Sequence, residues 1–207
     1  MMAIKLYGFK LSGHSHRVEV FLSLLDLEYE FISVDVANGE HKQPEFLAKN
    51  NFGQIPVLAD GNFIISDSNA ILYYLANTYD KSRQWFPANI KLASEIQKYL
   101  SVASGQIAYG PAAARLVKVF GAELEHQVAI DRAHQVLNII NCHLANKNWL
   151  VGESASIADV ANYSYIAHAP EGDVSLKYYP YIQDWLARFE ALPGFIPMPK
   201  TPAGLAK

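Results

Sequence analysis

Hydroxyl, carboxyl, imidazole and cationic side chains crowd into three short segments of the first eighty residues. The first is Leu11-Ser12-Gly13-His14-Ser15-His16-Arg17-Val18, between an apolar run and an amphipathic stretch. Helix N-termini after strands collect ligands, because their free N–H groups and dipole attract anions. Ser15 is read as the helix N-cap and Ser12 as a hydroxyl ahead of the helix that can face a ligand. Both also fit as plain loop and cap residues. His14, His16 and His41 do not converge as metal ligands must, and His14 and His16 diverge on a helix, so no metal is expected. The second segment is Asn51-Phe52-Gly53-Gln54-Ile55-Pro56-Val57-Leu58. Proline at the start of a strand removes a ladder donor. A cis Ile55–Pro56 bond, presenting the Ile55 backbone to a ligand, and a trans edge-strand proline both satisfy that. The third is Ile65-Ser66-Asp67-Ser68-Asn69-Ala70-Ile71, whose strand-to-helix junction suits a carboxylate and equally suits simple capping.

These segments need elements to hold them. Ala3–Tyr7 reads as a strand. Ser15–Asp26 reads as a helix with Val18, Phe21, Leu22 and Leu25 on one stripe. Glu28–Asp35 alternates with period two, and Glu40–Ala48 fits a short helix. Ile55–Ala59 and Phe63–Ile65 flank Asp60-Gly61-Asn62, a hairpin signal. Asp67–Tyr79 is helical again. The order β-α-β-α-β-β-α predicts a mixed four-stranded sheet with helices packed on it. Asp80–Pro87 is polar and reads as a linker. Beyond Ala88 only helical spacing recurs: Ile96, Leu100, Ala103 and Ile107, with a kink expected at Pro111. Further stripes are Ala133, Val136, Leu137, Ile140 and Leu144, then Tyr181, Trp185, Phe189 and Leu192 before Pro193-Gly194. The expected organisation is an α/β domain over residues 1–80, a linker over 81–87 and an all-helical domain over 88–207.

Composition narrows the function. The 207 residues are 51% hydrophobic and 18% charged, with a net charge of −3. A folded globular chain follows, with none of the basic excess of a nucleic-acid binder. No apolar run approaches the ~20 residues that span a bilayer, and the start has no secretory signal pattern. One cysteine, Cys142, forbids an intrachain disulfide and fits a reducing cytoplasm.

Taken together the motifs resemble a family. The run Tyr7-Gly8-x-x-x-Ser12-x-x-Ser15-x-Arg17-Val18 is followed by Gly39-Glu40-His41-Lys42-x-Pro44-Glu45-x-Leu47 and Asn51-Phe52-Gly53-Gln54-Ile55-Pro56-Val57-Leu58. Then come Asp67-Ser68-x-Ala70-Ile71-x-x-Tyr74-Leu75 and Ser156-Ile157-Ala158-Asp159. This set resembles the cytosolic glutathione transferases, most closely the serine-type phi and theta classes, along essentially the whole chain. The resemblance implies a thioredoxin-like first domain, a cis Pro56, and glutathione as co-substrate without a metal. It also implies conjugation of a small electrophile, a cytoplasmic homodimer, and no nucleic acid or membrane partner. Ser12 matches the hydroxyl that bonds the glutathione sulfur. Ser15, standing where relatives carry cysteine or threonine, and Tyr7, near the phenol of tyrosine-type classes, are its rivals. His41 and Lys42 match contacts to the glycine carboxylate. Gln54 and the Ile55 backbone match the groups holding the middle of the tripeptide, and Asp67 and Ser68 those gripping its γ-glutamyl end. The electrophile is expected in an apolar site between the domains, with Leu11 and Tyr109 as wall candidates. Asn51 replaces the proline usual before Phe-Gly in phi-like members, which alters loop stiffness. A glutathione-dependent isomerase or peroxidase, and a non-catalytic glutathione-binding protein, are the alternatives. A thiol-disulfide oxidoreductase is disfavoured, since the first loop has no cysteine.

Overall fold

The computed structural model describes residues 4–206. Ala3, the expected first strand residue, and the outer limits of both expected domains, 1–3 and 207, lie outside them. The described chain forms two compact units. One runs to Ser82 and includes Pro193–Pro199; the other comprises Arg83–Leu192 and the segment from Lys200 onward.

The first unit is the expected thioredoxin-like sheet with helices. Strands β1 (Ile4–Gly8), β2 (Tyr29–Ser33), β3 (Val57–Asp60) and β4 (Phe63–Ser66) are ordered β2-β1-β3-β4. β1 and β2 are parallel, from Ile4 opposite Tyr29 to Gly8 opposite Ser33. β3 runs antiparallel to β1 and to β4, and Gly61 takes φ +58° in the hairpin. Side chains alternate across the pleat. Leu6 and Leu58 are buried with Val18, Phe21 and Leu22 of α1 (Gly13–Leu24) and Ile71, Leu72 and Leu75 of α3 (Ser68–Thr78). Tyr7 packs in a separate cluster with Val34, Phe46, Ile55 and Val57, where Phe46 comes from the short α2 (Pro44–Leu47).

Three local expectations change. Helix α1 starts at Gly13, and its N-cap is Ser12, not Ser15: Ser12 is extended (φ −87°, ψ 119°) and its side chain takes the Ser15 N–H. The single helix expected over Glu40–Ala48 is a 3-10 turn, Glu40–Lys42, followed by α2. Pro44 forces that break by holding the preceding Gln43 extended (φ −79°, ψ 153°). The strand expected from Ile55 begins at Val57, beyond a cis Ile55–Pro56 bond.

The second unit is helical among the described residues: α4 (Ile90–Val102), α5 (Ala113–Phe120), α6 (His126–Leu144), α7 (Ile157–Ala167) and α8 (Pro180–Glu190). At Pro111 the long helix widens into π-helical turns over Ala103–Ala112. A wider turn accommodates a residue that has no N–H to give and clashes with the carbonyl four back. The α6 stripe is buried as expected, whereas Tyr181 is exposed and Ile182 and Leu186 are buried with Trp185 and Phe189 on α8. No helix among the described residues is long and apolar enough to cross a membrane.

Candidate functional site

Strand register decides where the polar segments meet. Gly8 lies opposite Ser33 in the parallel pair. Tyr7 lies opposite Val57, and Val57 opposite Ser66. The ends of β1, β2 and β4 and the start of β3 therefore share one edge of the sheet. The loop with Ser12, the turn with His41 and Lys42, the loop with Gln54 and Ile55, and the Asp67-Ser68 junction all leave from that edge.

The three hydroxyls proposed for one role sit in different surroundings. Ser15 is fully buried; its Oγ accepts the Phe9 N–H at 3.2 Å and presses on Gly8, where a Cβ would approach that oxygen to 2.8 Å. The Tyr7 ring is half-buried in the α2-side cluster, with the Lys49 ammonium 5.5 Å from its centroid. Ser12 is half-buried at the α1 terminus, and its Oγ accepts the Ser15 N–H at 3.3 Å. Accepting a helix N–H leaves a hydroxyl its own proton to donate, at the end of the helix that favours negative charge.

Lys42 Nζ donates to the carbonyls of Gly53 (2.7 Å) and Phe52 (3.4 Å), which fixes a cation beside the Gln54 loop. Gly53 has φ +57°, and a Cβ there would meet the His41 carbonyl at 2.8 Å, so this close approach requires glycine. Asn50 clasps the same loop. Its Nδ2 donates to the Gln54 carbonyl at 2.7 Å, and its Oδ1 accepts from Phe52 N–H at 3.1 Å. Gln54 is exposed, as is Asp67. Asp67 caps α3 by accepting from Asn69 N–H and Ala70 N–H, both at 2.9 Å. Its φ of +72° is a conformation that non-glycine residues keep where surroundings enforce it, and such positions cluster at ligand sites. Ser68 beside it is buried.

Sequence reasoning missed the groups beneath this surface. Arg17 is 1% exposed and donates through Nη1 to Ser68 Oγ and to Asn69 Oδ1, each at 2.9 Å. His14 Nδ1 lies 3.2 Å from Ser68 Oγ. A signal existed: Arg17 follows the Ser12 loop at one helical turn, directly before the buried stripe residue Val18. Lys10 pairs with Glu19 and lies 3.9 Å over the Phe31 ring, pinning the loop just before Ser12. Among the described residues no group of three or more His, Cys, Asp or Glu side chains is arranged to hold a metal. Leu11 is half-buried in the turn before Ser12, and Tyr109 is exposed on the widened helix of the second unit.

The chain is similar to known proteins along its whole length. Residues 2–77 match the family profile described as glutathione S-transferase, N-terminal domain, and residues 105–193 match its C-terminal domain. Glutathione S-transferase 3 of Zea mays is 33% identical, with all of both chains covered. The crystal structure of a glutathione S-transferase from Pseudomonas fluorescens superposes with a TM-score of 0.90 at 32% identity, covering 95% of this chain and 99% of that one. A glutathione transferase homologue from Drosophila mojavensis, solved with bound glutathione, gives a TM-score of 0.85 at 27% identity, covering 93% and 90%.

Proposed function

The chain belongs to the glutathione S-transferase family, and from that premise we propose that it binds glutathione at this sheet edge and transfers its thiolate to a small electrophile. The observation that carries the reading is Ser12: a hydroxyl that caps α1 as an acceptor and keeps a proton to give. A thiol of ordinary pKa, ~8.5, is mostly protonated at neutral pH. A donated O–H bond and the positive end of a helix favour the thiolate, and the hydroxyl need not ionise to do so. The thiol proton leaves to solvent. The sulfur lone pair then forms the new bond to the electrophilic carbon, which passes its electron pair to a leaving group or an adjacent acceptor.

The rest of the edge fits the anionic tripeptide. The α3 terminus with Ser68 receives the α-carboxylate of the glutamyl end, and the Asp67 carboxylate meets its ammonium. Gln54 and the Ile55 backbone hold the middle, and His41 and Lys42 take the glycine carboxylate. The close packing of Ser15 on Gly8 and of Tyr7 in its cluster supports Ser12 over its rivals. Leu11 and Tyr109 remain the candidates for contact with the electrophile. A cytoplasmic homodimer belongs to the same reading; a monomer in sedimentation at micromolar concentration would reject the dimer.

The test is thiolate absorbance of the glutathione complex against pH, for wild type, Ser12→Ala, Ser15→Ala and Tyr7→Phe. Ser12→Ala alone is expected to move the titration to higher pH. A Ser12→Ala curve equal to wild type removes Ser12 from the mechanism.

A further inference from the structure

Ser68 occupies the first position of α3 and is 4% exposed. Its hydroxyl has two partners in the fold: Arg17 Nη1 donates to Oγ at 2.9 Å, and His14 Nδ1 lies 3.2 Å from the same oxygen. A guanidinium nitrogen only donates, so Arg17 takes a lone pair of Oγ and leaves the hydroxyl proton to be placed. A hydroxyl this buried requires an acceptor for its proton, and of the two partners only His14 can accept. That demands a bare Nδ1, hence a neutral ring carrying its proton on Nε2. Burial and the neighbouring Arg17 cation keep the ring neutral, holding its pKa down at about 3.

We propose that His14 is a positioning residue acting through Ser68: its bare Nδ1 holds the Ser68 hydroxyl proton, and the glutamyl carboxylate of glutathione must draw that proton away to bind. The inference rests on Ser68 as the contact for that carboxylate. A hydroxyl–carboxylate bond is charge-assisted and stronger than one to a neutral imidazole, so the proton's new direction is favoured. The carboxylate gains the difference between the two bonds rather than the whole of one. His14 thus sets the grip on the γ-glutamyl end without touching it. Arg17, by donating from the other side, keeps the oxygen in place while the proton turns.

Two measurements decide it. In protein labelled with nitrogen-15 histidine, the His14 Nδ1 resonance is expected at the unprotonated position and to shift when glutathione is added. Calorimetry of glutathione binding is then run on wild type, His14→Leu, Ser68→Ala and the double variant. Removing the competing acceptor is expected to tighten binding about fivefold, and the Ser68→Ala penalty to be about fivefold larger in the His14→Leu background. A protonated Nδ1, or equal Ser68→Ala penalties in both backgrounds, overturns the proposal. If His14→Leu does not fold, the wild-type resonance decides alone. Wild type that binds glutathione with an unmoved Nδ1 rejects this inference and spares the proposed function; wild type that does not bind glutathione rejects both.

Discussion

Two helix N-termini in this chain are each built from a serine and an aspartate, and they differ in how far the aspartate is buried. At α7, Ser156 caps the helix and Asp159 completes a capping box. The Asp159 carboxylate is 0% exposed and accepts four bonds: Leu150 N–H and Trp185 Nε1–H on one oxygen, Ser156 N–H and Oγ–H on the other. At α3 the order is reversed. Asp67 caps, exposed, with both of its accepted bonds falling on Oδ1, while Ser68 is buried against Arg17 and His14. The same residue types make a closed structural joint in one unit and an open, half-committed surface in the other. Burial and the number of donors spent inside the fold separate the two, rather than composition.

The largest effect expected from this contrast is on stability. Asp159→Ala strands four donors in the interior and should cost about 3–5 kcal/mol, read as a fall in the urea midpoint, with little change in glutathione affinity of the folded protein. An equal loss of affinity would erase the distinction between the two termini. The open side should answer in chemistry instead. Ser12→Ala is expected to lower turnover at neutral pH by about tenfold or more and to shift its pH profile upward. Its stability cost should be only about 1 kcal/mol, that of an N-cap; steady-state rates and urea unfolding of the same variant separate the two numbers. Ser68→Ala should be milder still, weakening glutathione binding about fivefold by calorimetry, because His14 already competes for its proton.

A further effect sharpens the comparison through pH. Burial pushes the Asp159 carboxyl up to about 6, against the pull of its four donors. A raised carboxyl binds its proton more readily in the folded than in the unfolded chain, so this group adds stability as pH falls from about 6 to about 4. His14 does the reverse. Burial and Arg17 hold its pKa down at about 3, the unfolded chain binds the proton first, and stability is lost as pH falls below about 6.5. The two slopes oppose each other between about pH 4 and 6. Unfolding measured across that range should lose stability more gently on acidification in His14→Leu than in wild type, and an unchanged slope would contradict the neutral ring.

Much of the architecture was readable from residue order. Apolar periodicity carries the strand and helix sequence, and Asp60-Gly61 places the hairpin. The stripe from Ala133 to Leu144 faces the core as its spacing requires, because periods of two and 3.6 are properties of the local backbone. The three segments of the candidate site were also readable, since hydroxyls and carboxylates at strand–helix junctions are visible in a single sequence. Their assembly on one edge was not. It depends on β3 pairing antiparallel with β1 across some fifty residues, and on β4 pairing antiparallel with β3. Nor could the sequence separate Ser12 from Ser15. Both suit a helix start, and only the structure shows Ser12 at the cap and Ser15 buried against Gly8 with its Oγ on the Phe9 N–H. Arg17 and His14 belong to the same class. A charged or polar side chain reads as solvent-facing until its partner is known, and here the partner, Ser68, comes from a helix fifty residues on. Local pattern thus determined which groups exist and which elements carry them. Long-range packing decided which of these groups meet, because partners such as Arg17, His14 and Ser68 are assigned only when distant segments come together.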